Sequence, residues 1–275
     1  MKKVTVIGAG LVGSTIAYTL MLKNLADKIA LVDVDEKRVR SEVLDLRHGH
    51  VLLSHADVVA GTYQDCKDSD LVIITAGLAR KTGETRLDLL YKNKAIMQSI
   101  CKQINKSGFN GVALVVSNPV DALTNVAASV LKVKTNKVFG SGCVVDSSRF
   151  KALLAERLKV DVKNISANVV GEHGENMVLD FEGIKVNGKK YVFTQKQKNE
   201  LTKAVRTTGM QIIEGKGKTY YGIALSVAAI ARAVLKNKPA LLSVSVPNKN
   251  KEAAVVMMAK VDAGGLNLSK QGNEI

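Results

Sequence analysis

The chain has 275 residues, of which 46% are hydrophobic and 24% charged, a composition typical of a globular protein with one large or two modest cores. Its net charge of +15 comes from lysines spread along the chain without interleaved aromatic residues, so we expect a basic surface that attracts anionic ligands rather than nucleic acid. Three dispersed cysteines and four scattered histidines show no metal-ligand spacing. With no export signal, they predict a reducing, cytoplasmic setting and no metal site.

The first predicted elements are a strand, a glycine-rich turn and a helix. Residues 4–7 are apolar and β-branched, GAGLVG follows at 8–13, and a helical pattern continues to Met21. A second apolar run over 29–32 ends at Asp33. This order of strand, glycines, helix, strand and acid is the context of a dinucleotide-binding fingerprint.

Each residue of the fingerprint has a physical role. Gly8 permits the tight turn, Gly10 lets the backbone approach a pyrophosphate, and Gly13 lets the helix pack closely on the strand. Asp33 can accept hydrogen bonds from both hydroxyls of the adenosine ribose and would repel a 2′-phosphate, which favours NAD over NADP. The alternative is a membrane or signal segment, because residues 4–22 carry no charge. Three glycines and four hydroxyl side chains argue against that alternative, so no membrane association is expected.

Strands and helices alternate up to residue 140, which predicts a doubly wound parallel sheet, and the second half has a different pattern. Asn187-Gly188 is a strong hairpin signal. We place the domain boundary near Gly142, with a dinucleotide-binding domain at 1–141 and an α+β substrate domain at 142–275. The further helices are predicted over 36–48, 86–106, 121–131, 146–158, 195–213 and 221–235. The further strands are predicted over 71–75, 111–117, 137–139, 165–170, 181–186 and 189–193, with strand-like runs from 241 onward.

Several polar residues follow buried strands and are candidates for chemistry. His173 lies between glycines after a strand, Asp146 and Arg149 share one helix face, and Asn118 closes another strand. Arg80 and Arg86 flank a loop that begins at a strand end. Each has a plain structural alternative, since arginines on loops are usually solvated and an Asp–Arg pair at this spacing is usually a surface pair. Together at one edge of the sheet, they fit hydride transfer on a carboxylate substrate.

Seven motifs occur in the order seen in the lactate/malate dehydrogenase family, and the resemblance covers about residues 1–235. The motifs are GAGLVG at 8–13, VDVD at 32–35, TAGLARKTGETRLDL at 75–89, SNPVD at 117–121, GSGCVVDSSRF at 140–150, GEHG at 171–174 and GKGKTYYGIA at 215–224. The resemblance implies a Rossmann fold, NAD as the cofactor, a small 2-oxo or dicarboxylic acid as the substrate, and a homodimer or homotetramer. In relatives, dimers form where the helix at 36–48 lies.

The resemblance also assigns roles. His173 would donate and accept the proton with Asp146 as its carboxylate partner, and Arg149 would grip the substrate carboxylate. Arg86, on a mobile loop, would polarise the reacting carbonyl, and the Asn118–Pro119 bond is expected to be cis. The implied substrate-binding residues are Arg80, Arg86, Asn118, Arg149 and Thr219. The implied cofactor-binding residues are Gly8, Gly10, Leu11, Val12, Gly13, Asp33, Thr75, Ala76, Gly77, Asn93, Ser117, Asn118 and Ser141.

Residue 80 bears on which acid is used. Arg80 would pair with the second carboxylate of malate or oxaloacetate, and Met177-Val178 after the histidine is also malate-like. Glu172 and Thr219 are lactate-like, and Thr219 would crowd a larger substrate. Because a buried unpaired charge costs several kcal/mol, we expect a malate dehydrogenase, with L-lactate dehydrogenase as the alternative.

Two departures from the family pattern give a further alternative. The segment between His173 and Thr219 is short, and no long amphipathic helix follows the strand at Val255. The chain could therefore be a truncated, inactive relative that binds NAD and serves as a binding or structural protein. The retained catalytic side chains favour the enzyme.

Overall fold

The structure is a computed structural model that describes residues 1–53, 56–78 and 85–268, with the side chain of Arg86 not described. In these ranges no helix combines the length and the apolar character needed to cross a bilayer.

The first half of the chain forms a doubly wound parallel sheet, as predicted. Its strands are β1 (Lys3–Ile7), β2 (Lys28–Val32), β3 (Asp57–Ala60), β4 (Leu71–Ile74), β5 (Val112–Val115) and β6 (Val138–Gly140). Its helices are α1 (Leu11–Leu22), α2 (Glu36–His50), α3 (Arg86–Ser107) and α4 (Val120–Val130). The strand order is β3-β2-β1-β4-β5-β6, so the winding reverses between β1 and β4, where such sheets bind their ligands.

Burial explains which strands could be predicted. The strands β1, β4 and β5 are buried at every residue. The sequences of β4 and β5 are continuous apolar runs, whereas β1 also contains Lys3 and Thr5. The edge strand β3 was missed, because only Val58 of its four residues is buried and the run contains Asp57. The predicted stripe of Val39, Val43 and Leu46 is the buried face of α2.

The second half contains three further helices, α5 (Val144–Leu158), α6 (Gln195–Lys216) and α7 (Tyr221–Leu235). Its strands are β7 (Ile165–Ser166), β8 (Val169–Val170), β9 (Val178–Leu179), β10 (Lys185–Val186), β11 (Lys189–Lys190), β12 (Ala240–Val246), β13 (Val255–Asp262) and β14 (Gly265–Asn267). The single strand predicted over 165–170 was wrong. It is two short strands in different sheets, because β7 pairs with β10 and β8 pairs with β9.

The hairpin predicted at Asn187-Gly188 is confirmed. Both residues have positive φ, at 50° and 77°, as the tight hairpin turn requires. Its strands β10 and β11 pair over only two residues each, whereas the sequence predicted longer strands.

The C-terminal strands extend the main sheet to nine strands. The strand β12 runs antiparallel to β6, with Ser245 opposite Gly140, and β13 and β14 follow at the edge. Strands from both sides of Gly142 thus belong to one sheet, and the division at 141/142 stays a prediction. One hydrophobic core lies between the sheet and the helices α1, α2 and α7, a second under α3 and α4, and a third joins α5 and α6 to β7–β9.

Candidate active site

The turn after β1 has the geometry of a phosphate cradle. Gly8 has a φ of 110°, and a Cβ added at Gly13 would lie 1.8 Å from the carbonyl oxygen of Gly8, so both positions require glycine. A Cβ at Gly10 would meet no atom within 4 Å. Gly10 caps α1 without a side-chain hydrogen bond, which leaves the first N–H groups of the helix available for an anion.

Asp33 lies where the fingerprint predicts it, at the end of β2 beside this turn. Its carboxylate accepts hydrogen bonds from the backbone N–H of Ala9 at 2.7 Å and of Asp35 at 3.1 Å. The side chain is partly exposed, and a carboxylate can accept more than two hydrogen bonds. Asp33 therefore fixes the glycine turn and keeps acceptor capacity for a ribose.

The loops after β4 and β5 are tied to one another and to β1. The Thr75 hydroxyl donates to the Gly8 carbonyl at 3.1 Å, and the Ser117 hydroxyl donates to the Ala76 carbonyl at 2.6 Å. Asn118–Pro119 is cis, which confirms the expectation. These contacts form a rigid floor at the point where the strand order reverses.

Asn93 on α3 braces this floor. The side chain is 1% exposed, and its amide donates to the carbonyls of Leu78 at 3.1 Å and Asn118 at 2.8 Å. The amide oxygen accepts from the N–H of Leu78 at 2.8 Å. Both donors are used on the backbone, so the contacts of Asn93 support a positioning role for the loops around the cofactor site.

Two predicted catalytic residues, His173 and Asp146, form a hydrogen-bonded row with the predicted substrate-binding residue Arg149. Nδ1 of His173 lies 2.6 Å from Oδ2 of Asp146, and a guanidinium nitrogen of Arg149 donates to Oδ1 of Asp146 at 2.8 Å. Asp146 is fully buried, whereas a quarter of the His173 side chain is exposed. The other ring nitrogen of His173 can therefore reach a ligand while Asp146 holds the ring.

Electrostatics set the protonation of this row. Burial lowers the pKa of His173, but the hydrogen bond and charge of Asp146, with the charge of Asp121, outweigh burial and raise it above its ordinary value. Burial likewise opposes ionisation of Asp146, yet the bonds and charges of His173 and Arg149 hold the pKa of Asp146 below its usual range. The row thus favours an imidazolium beside a carboxylate, poised for proton transfer.

A cleft of about 730 Å³ runs from the glycine turn to this row. Gly209 of α6 faces Arg149, and a Cβ there would lie 3.4 Å from the guanidinium, so α6 approaches the arginine closely at this wall. The predicted residues that line the cleft are Val12, Thr75, Gly77, Ser117, Asn118, Ser141, Arg149, His173 and Thr219. Leu11 is half exposed at the start of α1.

Sequence reasoning gave no role to Gly209 or Asp121. A glycine inside a helical pattern is the signal for the first, because such a residue usually has a packing reason. Asp121 follows Pro119 at the start of α4 and reads as an ordinary acid in a first helical turn. Its carboxylate instead accepts a hydrogen bond from the backbone N–H of His173 at 2.7 Å, a long-range contact that no local pattern reveals.

Cys143, Asp146 and His173 offer ligand atoms within 4.8 Å of one another. Burial raises the pKa of the Cys143 thiol far above its ordinary value, and a metal would need the thiolate. Asp146 is already bonded to His173 and Arg149. The donor set therefore fits a hydrogen-bonded cluster better than a metal site.

Two predicted residues have no described side chain. Arg80 lies outside the described residues, and Arg86 begins α3 with its side chain undescribed. Their roles stay predictions.

Residues 2–140 match the profile of the lactate/malate dehydrogenase NAD-binding domain, and residues 144–264 match that of the alpha/beta C-terminal domain of the same family. The chain is 42% identical over 254 residues to the L-lactate dehydrogenase of Acetivibrio thermocellus, covering 89% of this chain and 80% of the relative. It is also 42% identical over 246 residues to the L-lactate dehydrogenase of Halalkalibacterium halodurans, covering 88% and 79%.

Two solved structures share the whole fold. A lactate dehydrogenase from a Medee basin deep-sea metagenome library superposes with a TM-score of 0.92 at 32% identity, covering 99% of this chain and 93% of that chain. The minor L-lactate dehydrogenase from Enterococcus mundtii gives 0.93 at 33% identity, covering 97% and 89%.

These similarities correct one expectation. The sequence favoured malate as the substrate through the charge of Arg80, but these relatives and both solved structures are lactate dehydrogenases. The prediction of a malate dehydrogenase is therefore wrong. The inference was weak at one step, because it required the Arg80 side chain to meet the substrate. The matches over both halves establish the family: this chain belongs to the lactate/malate dehydrogenases, whose first domain binds NAD.

Proposed function

We propose that the chain is an NAD-dependent L-lactate dehydrogenase that interconverts pyruvate and lactate. The observation that carries the proposal is that His173 and Arg149, both bonded to the buried Asp146, line a cleft that begins at the dinucleotide turn. The identity of about 42% to L-lactate dehydrogenases over most of the chain supports pyruvate as the 2-oxo acid.

The residues around the turn after β1 fit NAD. The open space over Gly10 and the unpaired start of α1 suit a pyrophosphate, and Asp33 suits an unphosphorylated ribose. When bound, NAD supplies or accepts the hydride. We propose contacts with it for Gly8, Gly10, Leu11, Val12, Gly13, Asp33, Thr75, Ala76, Gly77, Ser117, Asn118 and Ser141, with Asn93 supporting the loops.

His173 moves the proton. Oxidation of lactate requires that a proton leave the hydroxyl as the hydride leaves the same carbon, and the exposed ring nitrogen of His173 can accept it. Asp146 fixes the ring through Nδ1 and stabilises the imidazolium that forms. In the reverse direction the imidazolium returns this proton to the carbonyl oxygen of pyruvate.

Arg149 binds the substrate carboxylate. One of its nitrogens is fixed by Asp146, and the remaining donors of the planar guanidinium can bind a carboxylate with two parallel hydrogen bonds. This ion pair would set the carbonyl carbon near His173. Arg86 is proposed to polarise the carbonyl and Asn118 to contact the substrate, as the family resemblance implies.

Thr219 is proposed to select a small substrate. It lies in the loop between α6 and α7 and lines the same cleft as His173 and Arg149. A side chain branched at Cβ leaves room for the methyl group of pyruvate and crowds a longer acid. Glu172, the other lactate-like residue, accepts a hydrogen bond from the Asn176 amide at 2.8 Å, which holds the loop beside His173.

The test is the NADH absorbance during incubation of the purified chain with pyruvate. Wild type should oxidise NADH, and His173→Asn should be slower by roughly 10²–10⁴-fold while its NADH affinity stays within about threefold. Asp68→Asn, at an exposed residue outside the cleft lining, is the control and should behave as wild type. Normal turnover in His173→Asn would refute the assignment.

We also propose that the enzyme is a homo-oligomer whose contact includes the outer face of α1, α2 and α7. Large apolar side chains on this face are exposed, although α1 and α7 pack on one another and bury their other faces in the first core. These side chains are Tyr18, Leu22, Leu44, Val51, Leu52 and Leu225. Exposed apolar side chains on neighbouring helices favour an interface, and a second copy would cover them.

A further inference from the structure

The loop that carries His173 is held by parts of the chain that do not belong to the catalytic row. The backbone N–H of His173 donates to Oδ2 of Asp121 at 2.7 Å. Gly171, two residues earlier, exchanges both backbone hydrogen bonds with Val256 of β13, at 2.8 and 2.9 Å. The loop is thus attached on one side to the start of α4 and on the other to the C-terminal strand pair.

Asp121 joins these supports into one unit. Its second carboxylate oxygen accepts a hydrogen bond from the hydroxyl of Ser245 on β12 at 2.5 Å. Its backbone carbonyl accepts from the N–H of Ala254, the residue before β13, at 3.0 Å. Asp121 is 3% exposed and Ser245 is fully buried. A buried carboxylate costs free energy unless it is hydrogen-bonded. The burial of the Asp121 carboxylate therefore indicates that its charge serves a function.

We propose that Asp121 is a positioning residue for hydride transfer, which fixes the backbone of His173 against β12 and places a second negative charge behind its ring. The proposal deepens the dehydrogenase function proposed above and rests on it. In this account the C-terminal strand pair supports the catalytic loop directly through Val256 and, by way of Asp121, through Ser245.

Electrostatics agree with this placement. The charge of Asp121 adds to that of Asp146 in raising the pKa of His173. Burial raises the pKa of Asp121 itself, and the hydrogen bonds from Ser245 and from the His173 backbone oppose that rise. Among the described residues, the other titratable or charged groups near this pair or lining the cleft are Cys143, Asp146, Arg149, Glu172, Lys216, Tyr220 and Tyr221.

Asp121→Asn separates charge from geometry. The amide oxygen can still accept from the His173 N–H, and the amide nitrogen can donate to the Ser245 hydroxyl, so the hydrogen bonds survive while the charge is lost. We expect the alkaline limit of pyruvate reduction to move to lower pH by roughly half a unit or more. We expect kcat to fall by roughly tenfold, because the lost charge no longer stabilises the imidazolium although the loop keeps its place, with NADH affinity within about threefold.

Asp70→Asn is the matched control. Asp70 also accepts a backbone N–H, from Lys3 at 2.9 Å, and a lysine, Lys2, at 2.9 Å. It precedes β4, at the end of the sheet opposite the cleft. The variant removes the same charge and should leave the pH profile unchanged, so a shift shared by both variants would overturn the proposal.

A direct readout does not depend on turnover. In the NADH-bound protein, the ring protons of His173 can be titrated by NMR, with the resonance identified by its loss in His173→Asn. The pKa of His173 should be lower in Asp121→Asn than in wild type, and equal values would overturn the proposal. Failure to reduce pyruvate would instead count against the proposed function, so the two failures are distinguishable.

Ser245→Ala is a second variant, which keeps the proposal testable if Asp121→Asn does not fold. It keeps the carboxylate and removes one hydrogen bond to it, so Asp121 should ionise less readily and the pKa of His173 should fall in the same direction by a smaller amount. A stable Ser245→Ala protein with an unchanged His173 titration and unchanged kcat would contradict the coupling to β12.

Discussion

Asp146→Asn tests the electrostatic role of the catalytic row most sharply, because the substitution changes charge with almost no change of shape. Asp146 is fully buried and makes short bonds to His173 at 2.6 Å and to Arg149 at 2.8 Å. Loss of a charge-assisted bond to the imidazolium costs about 1.5–3 kcal/mol, which is roughly 10- to 150-fold in rate. An asparagine can also hold the ring in the wrong tautomer, so the expected total loss in kcat/KM is roughly 10²–10⁴-fold.

The charge of Asp146 also determines the direction in which the pH dependence of pyruvate reduction should shift. In wild type Asp146 raises the pKa of His173, so the imidazolium needed for pyruvate reduction persists to higher pH. Without that charge burial dominates and the pKa falls, so the alkaline limit of the reaction should move to lower pH. The assay is NADH oxidation with pyruvate across pH, with melting temperature and NADH affinity as checks of folding. An unchanged limit in a folded Asp146→Asn protein would refute the reasoning, and exposed Asp68→Asn is its control.

Two further predictions concern the cofactor and the assembly. Asp33→Asn should narrow the preference for NADH over NADPH by roughly tenfold or more, about 1.4 kcal/mol, because the charge that repels the 2′-phosphate is lost. Equal binding of both cofactors by wild type would contradict the assignment, and Glu36→Gln, exposed and paired with Arg40, is the control in binding titrations. Leu44→Asp should shift the protein towards monomer in analytical ultracentrifugation, since a charge in place of the exposed Leu44 side chain of α2 cannot be buried against a second copy without cost. A wild-type monomer at high concentration would exclude the proposed interface.

The sequence was most informative where one local pattern determines structure. Buried strands such as β4 and β5 are unbroken apolar runs, and the glycine turn follows from steric demands at Gly8 and Gly13. The edge strand β3 has no such run. The strands β7 and β8 lie in one mostly apolar segment of the sequence but pair in two different sheets. Pairing partners far away in the chain decide such cases, and local sequence does not contain them.

The site shows the same division. His173, Asp146 and Arg149 were predicted, because their residue types and places at strand ends fit the chemistry. Asp121, and Ser245 of the C-terminal strands, support His173 through hydrogen bonds between residues more than fifty and more than one hundred and twenty positions apart. Local sequence spacing does not predict contacts at such separations. The prediction of malate as the substrate was wrong, because Arg80 in a predicted loop was given more weight than Thr219, which lines the cleft.

The most direct test of the central account is the ratio of kcat/KM for pyruvate to that for oxaloacetate, measured on the wild-type protein with NADH. Discrimination between the two is a difference in transition-state affinity, so both must be measured under the same conditions. The account predicts a ratio of roughly 100 or more in favour of pyruvate, because Thr219 on the wall of the cleft leaves room for a methyl group and crowds the longer acid. A ratio below one, or no turnover of pyruvate by a folded protein that binds NADH, would contradict it.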